Sequence, residues 1–352
     1  MQAASSQHCI LVTGAGGFVG SHVVLELLSK DYNVIAVDNC INCVKGSDDV
    51  PVSLSRVEKI CGKKLTFYNT DVLDEVGLEK IFGKHQIDCV MHFAGLKAVG
   101  ESVRMPIQYY WNNVTGALIL LRVMQKCKVH NIIFSSSATV YGAVEFPPIS
   151  EWHPAGIGMT NPYGKSKYFI EEILCDLHAA DKQWNIVLLR YFNPVGAHPS
   201  GEIGEDPCGT PNNLMPNVSM AAAKLIPFLR VFGTDYDTMD GTGVRDYVHV
   251  VDLAKGHTAS LGKIFSNCGL KVYNLGTGHG YSVLEVVKMF EEISGTEIEL
   301  KFEERRPGDL PAVYCDASLA DLELRWKAEH DLRQMCIDTW NWQTKNPKGY
   351  RD

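Results

Sequence analysis

The chain has 352 residues, 45% of them hydrophobic and 21% charged, with a formal net charge of −8. That length suits one large domain plus a smaller one, and the composition is ordinarily globular. The negative balance, with no long basic run, argues against a nucleic-acid surface. Residues 1–8 are polar, and no apolar run is long enough to span a bilayer. The expectation is therefore no signal peptide and no membrane span.

In chain order, residues 9–12 form a short apolar run, predicted as a buried strand. It leads into Thr13-Gly14-Ala15-Gly16-Gly17-Phe18-Val19-Gly20. An apolar helical pattern follows at Val19, Val23, Val24, Leu27 and Leu28. Strand, tight turn and helix N-terminus make a pyrophosphate cradle. Glycines 14, 17 and 20 let the backbone approach, and the free N–H groups and helix dipole bind the anion. The next strand, 33–38, ends in Asp38, 18 residues after Gly20. A carboxylate there accepts hydrogen bonds from an adenine ribose and repels a 2′-phosphate, which favours NAD over NADP.

Residues 39–64 are polar, with a short helix around 54–60. Cys40-x-x-Cys43 has a spacing used in metal and redox chemistry. No second pair answers it, so it is read as a loop coincidence and no metal is expected. The eleven cysteines are scattered, with Cys89, Cys127 and Cys175 inside predicted elements. They read as reduced thiols of a cytoplasmic protein.

A third strand is predicted at 65–69, followed by Asp71 and Val72. A fourth, 88–92, ends in Phe93-Ala94-Gly95, a small-residue turn over which a dinucleotide can lie. His92 is read as a strand-end histidine satisfied by backbone. One long helix is predicted over 106–127, then a fifth strand at 131–134 ending in Ser135-Ser136-Ser137. Alternating strands and helices define an α/β fold with a doubly wound parallel sheet. Ligands of such sheets bind beyond the C-terminal strand ends. The glycine turn, Asp38, the 93–95 turn and Ser137 all fall there.

Asn161-Pro162-Tyr163-Gly164-Lys165-Ser166-Lys167 opens a helix. Asn161 caps it and Pro162 suits its first turn. Phe169, Ile170, Ile173, Leu174 and Leu177 give the buried stripe. Tyr163 and Lys167 are four apart and share a face. A cation beside the phenol lowers its pKa from about 10 towards neutrality and makes a general base. A sixth strand, 185–189, finishes in Arg190-Tyr191-Phe192-Asn193-Pro194. The alternation is then lost. Residues 194–218 are rich in Gly, Pro and Asn and read as a substrate loop entering a second region. Segments 225–232 and 272–275 are predicted as short strands, 276–280 as a glycine loop, and 335–342 as part of a terminal helix.

The glycine turn, Ser137, Tyr163 and Lys167 resemble the extended short-chain dehydrogenase/reductases. Residues 92–102, 135–142, 161–167, 190–194, 212–216 and 243–247 are similar to the UDP-glucose 4-epimerase family, over roughly residues 9–345. The resemblance implies a Rossmann domain of 1–193, with returning segments near 245–275. It implies a smaller C-terminal α/β substrate-binding domain over most of 194–352. It also implies that NAD oxidises a UDP-hexose to a 4-keto sugar, which rotates and is reduced on its other face. Tyr163 is then the base, Lys167 binds the nicotinamide ribose and Ser137 holds the sugar oxygen. The NAD site is lined by Gly14, Gly17, Phe18, Val19, Gly20, Asp38, Asn39, Asp71, Val72, Phe93, Ala94, Gly95, Lys97 and Tyr191. The UDP part falls to Asn193, Asn212, Asn213, Leu214, Arg230, Val231, Phe232, Arg245, Arg306 and Asp309. Arg245 and Arg306 also admit a plain ion-pair reading. A homodimer is implied, pairing the helices near 106–127 and 163–180.

Val313 stands where the family carries a small residue or a large aromatic, which leaves activity on N-acetylated UDP-sugars open. The loop 145–159 departs from the family pattern. A nucleotide-sugar 4,6-dehydratase needs an acid pair after the serine position, and Ala138-Thr139 stand there instead. A UDP-uronic acid 4-epimerase needs an extra pocket charge. A non-catalytic NAD or sugar-nucleotide binder has no use for the Ser-Tyr-Lys set. A plain dehydrogenase releases NADH.

Overall fold

The computed structural model describes residues 8–144, 146–207, 209, 211–306 and 308–351. The first seven residues of the polar N-terminal stretch, and Glu145 at the start of the divergent loop, lie outside them. The strands are β1 (Cys9–Thr13), β2 (Asn33–Asp38), β3 (Thr66–Asn69), β4 (Cys89–His92), β5 (Asn131–Ser137), β6 (Asn185–Tyr191) and β7 (Asn193–Val195). They continue with β8 (Leu229–Phe232), β9 (Val244–Arg245), β10 (Tyr247–His249), β11 (Leu270–Leu275), β12 (Tyr281–Ser282), β13 (Leu300–Glu303) and β14 (Ala312–Val313).

Seven strands form one sheet in the order β11-β6-β5-β4-β1-β2-β3. Every pairing in it is parallel. The chain builds outwards from β1 to β3, then restarts at β4 on β1's other side. The switch point lies between β1 and β4, where such sheets bind ligands.

Both faces of this sheet are covered, so its strands read as continuous apolar runs. Alternate residues serve opposite layers. Ile10, Val12, Val34, Ala36, Ile133, Val187 and Leu189 pack with helices Phe18–Ser29, Val52–Cys61, Val250–Ile264 and Ser318–Leu324. Leu11, Ile35, Val37, Ile132, Phe134, Ile186 and Leu188 pack with helices Glu75–Lys84, Gly116–Lys126 and Pro162–Ala180. A separate core gathers the helices Leu214–Ala222, Val283–Ser294 and Leu332–Lys345 around β8. There β8 pairs with β13, and β9 with β12 and β14.

Two expectations need correction. The helix over 106–127 is interrupted: Pro106–Tyr109 runs into a π-helical stretch, Tyr110–Thr115, before Gly116–Lys126. Such bulges often mark functional positions. The strand expected over 225–232 is only β8. Pro227 has no N–H for a ladder, and Lys224 turns through a φ of 58°.

Candidate active site

The glycine turn joins β1 to the helix Phe18–Ser29. Gly14 has a φ of +67°, and a Cβ there would lie 2.7 Å from Ala94 N. So Gly14 lets the first and fourth strand ends meet at the switch point. At Gly20 a Cβ would lie 2.1 Å from the Gly14 carbonyl oxygen. Gly17 is the N-cap and its position carries no side-chain cap. The leading N–H groups of that helix therefore face the strand ends, a cradle for a phosphate anion. Gly20→Ala forces backbone against backbone, so dinucleotide affinity falls by more than about tenfold. Cofactor retained after desalting measures this.

Asp38 sits at the end of β2. Its carboxylate accepts from Gly16 N at 2.9 Å and from Cys40 N at 2.8 Å. Burial pushes its pKa up, and these two N–H donors pull it back. Asn39 Nδ2 donates to Asp71 Oδ2 at 2.8 Å, and Val72 is buried beside Gly116. Phe93 N donates to Thr13 O at 3.1 Å, and Ala94 N to Thr13 Oγ1 at 3.3 Å. His92 is tied to the Thr13 side chain at 2.7 Å, not to backbone as expected. Its Nε2 has no partner among the described residues, and burial pushes its pKa down to about 3.

Asn113, in the π-helical stretch, is a residue the sequence reading missed. Its Oδ1 accepts from Leu96 N at 2.8 Å. Its Nδ2 donates to Leu96 O and to Ser166 Oγ, both at 3.0 Å. Gly95 fits against it. One amide thus ties the turn after β4 to the Tyr163 helix. Its only sequence signal was polarity within an otherwise apolar helical stripe. Asn113→Ala leaves the Leu96 backbone groups unpaired. We expect a loss of about 1–3 kcal/mol in stability and weaker cofactor retention, read by denaturant titration and desalting.

Asn161 accepts from Gly164 N at 2.8 Å and starts the helix Pro162–Ala180 as expected. Ser137 ends β5, and its hydroxyl accepts from Thr139 N at 3.2 Å. The Ser137 hydroxyl lies near enough to Tyr163 to favour its ionised form. The expected action of Lys167 on Tyr163 is not seen. Lys167 Nζ donates to Ser135 O at 2.6 Å instead. Burial pushes Tyr163 up, while the nearby Ser137 hydroxyl and the Lys97 charge oppose this. Burial also pushes Lys167 down to about 8, against the pull of the Glu171 carboxylate. Lys97 Nζ meets Glu205 Oε1 at 2.9 Å, and Asn213 Nδ2 donates to the same oxygen at 3.0 Å. Glu205, also unforeseen, joins the two sides of the cleft. Tyr191 is buried, its hydroxyl 3.1 Å from His257 Nε2.

Arg245 and Arg306 converge on Asp309, at 3.8 Å and 2.8 Å. Arg245 also donates to Val244 O and Leu310 O at 2.8 and 2.9 Å. Arg306 lies over the Phe232 ring. Buried Asp246 accepts from Thr277 N, Gly278 N and Cys315 N, which pins the glycine loop beside Arg245. Arg230 pairs instead with Glu303 at 3.5 Å, and Val231 is buried in the second core. Asn193 and Asn212 are exposed, and Leu214 starts the helix that Asn213 precedes. Val313 is the register neighbour of Arg245.

A glycine cradle at a parallel switch point, with serine, tyrosine and lysine on the adjoining strand and helix, defines an extended short-chain dehydrogenase/reductase. A family model described as GDP-mannose 4,6 dehydratase matches residues 11–339. A Bos taurus UDP-glucose 4-epimerase is 55% identical over 97% of this chain and 98% of its own. The Bacillus subtilis UDP-glucose 4-epimerase is 53% identical, over 97% and 98%. A crystal structure of the Bifidobacterium longum UDP-glucose 4-epimerase, in complex with NAD+ and UDP, superposes with a TM-score of 0.92. It is 56% identical and covers 97% of this chain and 99% of its own. The chain belongs to the UDP-glucose 4-epimerases within that broader family.

Proposed function

We infer that the chain interconverts UDP-galactose and UDP-glucose by inverting C4 of the hexose, with NAD held throughout. The observation that carries this is the Tyr163–Ser137 pair at the dinucleotide cradle, in a chain 56% identical to an epimerase crystallised with NAD+ and UDP. The cradle fits the cofactor: two glycines whose side chains would collide with backbone, an uncapped helix N-terminus and a strand-end carboxylate. When bound, NAD supplies the hydride acceptor and donor for C4.

Gly14, Gly17, Phe18, Val19 and Gly20 face its pyrophosphate. Asp38, Asn39, Asp71 and Val72 line one half of its site, and Phe93, Ala94, Gly95, Lys97, Lys167 and Tyr191 the other. Tyr163 takes the proton of the 4-hydroxyl and returns it after the keto sugar has turned. Ser137 holds the same oxygen. Arg245 and Arg306 grip the diphosphate, since guanidinium groups match phosphate oxygens bidentately. Their shared partner Asp309 gathers both before substrate arrives. Asn193, Asn212, Asn213, Leu214, Arg230 and Phe232 complete the UDP side, with Val231 buried beneath them. On this division, 1–193 with the returning 245–275 segments binds NAD, and most of 194–352 binds the sugar nucleotide.

The reading includes a cytoplasmic homodimer. Val103, Ile107, Trp111, Leu118 and Phe169 are exposed on the helical face of 99–126 and 162–180, an apolar stripe suited to a second copy. No helix of the described residues is long and apolar enough to cross a membrane. The test of substrate class gives purified protein UDP-galactose and UDP-galacturonic acid separately. The hexose is converted and the uronate is left alone. The opposite result moves the reading to a uronic-acid epimerase.

A further inference from the structure

In the fold, the two cysteines of the Cys40-x-x-Cys43 spacing come together beside Asp38. Cys40 takes a left-handed φ of 58°, uncommon for a residue with a side chain, and is buried. Its N–H donates to Asp38 Oδ1 at 2.8 Å, which folds the loop back over the carboxylate. Cys43 reaches the same place: a Cβ on Gly16 would lie 3.1 Å from its Sγ. One ligand atom from each of Asp38, Cys40 and Cys43 then lies within 4.8 Å of the others. No disulfide joins the two cysteines.

We propose that Asp38, Cys40 and Cys43 form a binding site for a thiophilic divalent cation of the zinc type, whose occupation excludes the dinucleotide. Two thiolates and one carboxylate are a donor set that suits Zn²⁺ and Co²⁺, with a fourth position left to water. Tetrahedral bonds of about 2.0–2.3 Å bring ligand atoms well inside the 4.8 Å that bounds these three, an arrangement within reach of one short loop. Each cysteine enters as thiolate, so binding sends two thiol protons to solvent. Because two thiol protons leave, the cation binds more tightly as pH rises.

The exclusion follows from shared atoms. A cation on Asp38 occupies the carboxylate that otherwise accepts the adenine-ribose hydroxyls. It also fixes Cys43 against Gly16, inside the phosphate turn. Cation and dinucleotide therefore weaken each other by the same factor. This exclusion rests on the function inferred above; the donor set does not.

The test uses Co²⁺ as the probe on the full-length protein, because thiolate-to-cobalt charge transfer gives an absorption band. Wild type shows the band. Cys43→Ser loses it or binds Co²⁺ at least about tenfold more weakly, since even outer-shell losses cost ~10–100-fold. Cys40→Ser does the same, so a folding defect in one variant does not decide the matter. Saturating NAD suppresses the band, and Zn²⁺ releases NAD from the loaded protein. Absence of the band, or its persistence in both variants, overturns the site. A band that NAD does not touch overturns the exclusion, while the epimerase assay independently reports whether the functional reading stands.

Discussion

Tyr163→Phe lowers kcat by roughly 10²–10⁴-fold while NAD and UDP-sugar binding persist. The substitution removes one oxygen from a site otherwise built of backbone and neighbouring side chains. The Gly14–Gly20 cradle and the Arg245–Arg306–Asp309 cluster do not depend on that hydroxyl. Ser137 keeps its own bonds to Thr139. What is lost is the group that moves the proton. Steady-state rates together with cofactor content separate the two effects. Turnover equal to wild type removes Tyr163 as the base. Loss of bound NAD along with turnover makes it a structural residue.

Arg190→Met destabilises the protein by about 3–5 kcal/mol. Arg190 is the penultimate residue of β6 and reaches the helix Pro162–Ala180, where its Nε and an Nη donate to Glu171 at 3.0 and 2.6 Å. Both side chains are buried, at 8% and 2% exposure. Ser136 also donates to this carboxylate, and Arg190 stacks on Tyr141. Removing the guanidinium leaves Glu171 buried without its hydrogen-bonded counter-charge, with only the Lys167 ammonium one turn away to offset it. That cost is of the order of a whole domain's margin. The double variant Glu171→Leu/Arg190→Met removes both charges and recovers much of the loss. Denaturant titration of the three proteins checks this. A single variant no less stable than the double one shows that the pair's isolation from water has been misjudged. Because Glu171 lies one turn beyond Lys167, the single variant also loosens the lysine that points at Ser135.

The first half of the chain was legible because burial on both sheet faces writes each strand as an apolar run. Glycine, proline and capping asparagine mark the ends where the ligand-facing residues sit. Asp38, Ser137 and Tyr163 could be placed from such local signals. Beyond residue 194 the pattern fades for physical reasons. Strands such as β9 and β12 have two residues each, too short for any period. The helix Val250–Ile264 buries Asp252, His257, Thr258 and Ser260, so its inward face does not read as apolar. The direction of Lys167 was also beyond sequence reading. Spacing puts it on the tyrosine's face, but the Ser135 carbonyl on β5 captures its ammonium. Glu205 and Asn113 act across 108 and 53 residues of chain, where no local pattern points. The meeting of Cys40 and Cys43 depended on a left-handed turn at a residue type that seldom takes one.

A self-contained inversion at C4 with the cofactor retained shows itself when purified protein is incubated with UDP-galactose in heavy water, with no NAD added. The expected product is UDP-glucose carrying hydrogen rather than deuterium at C4, with no accumulation of NADH. Deuterium at C4, or no conversion even when NAD is supplied, rules out inversion by a retained cofactor.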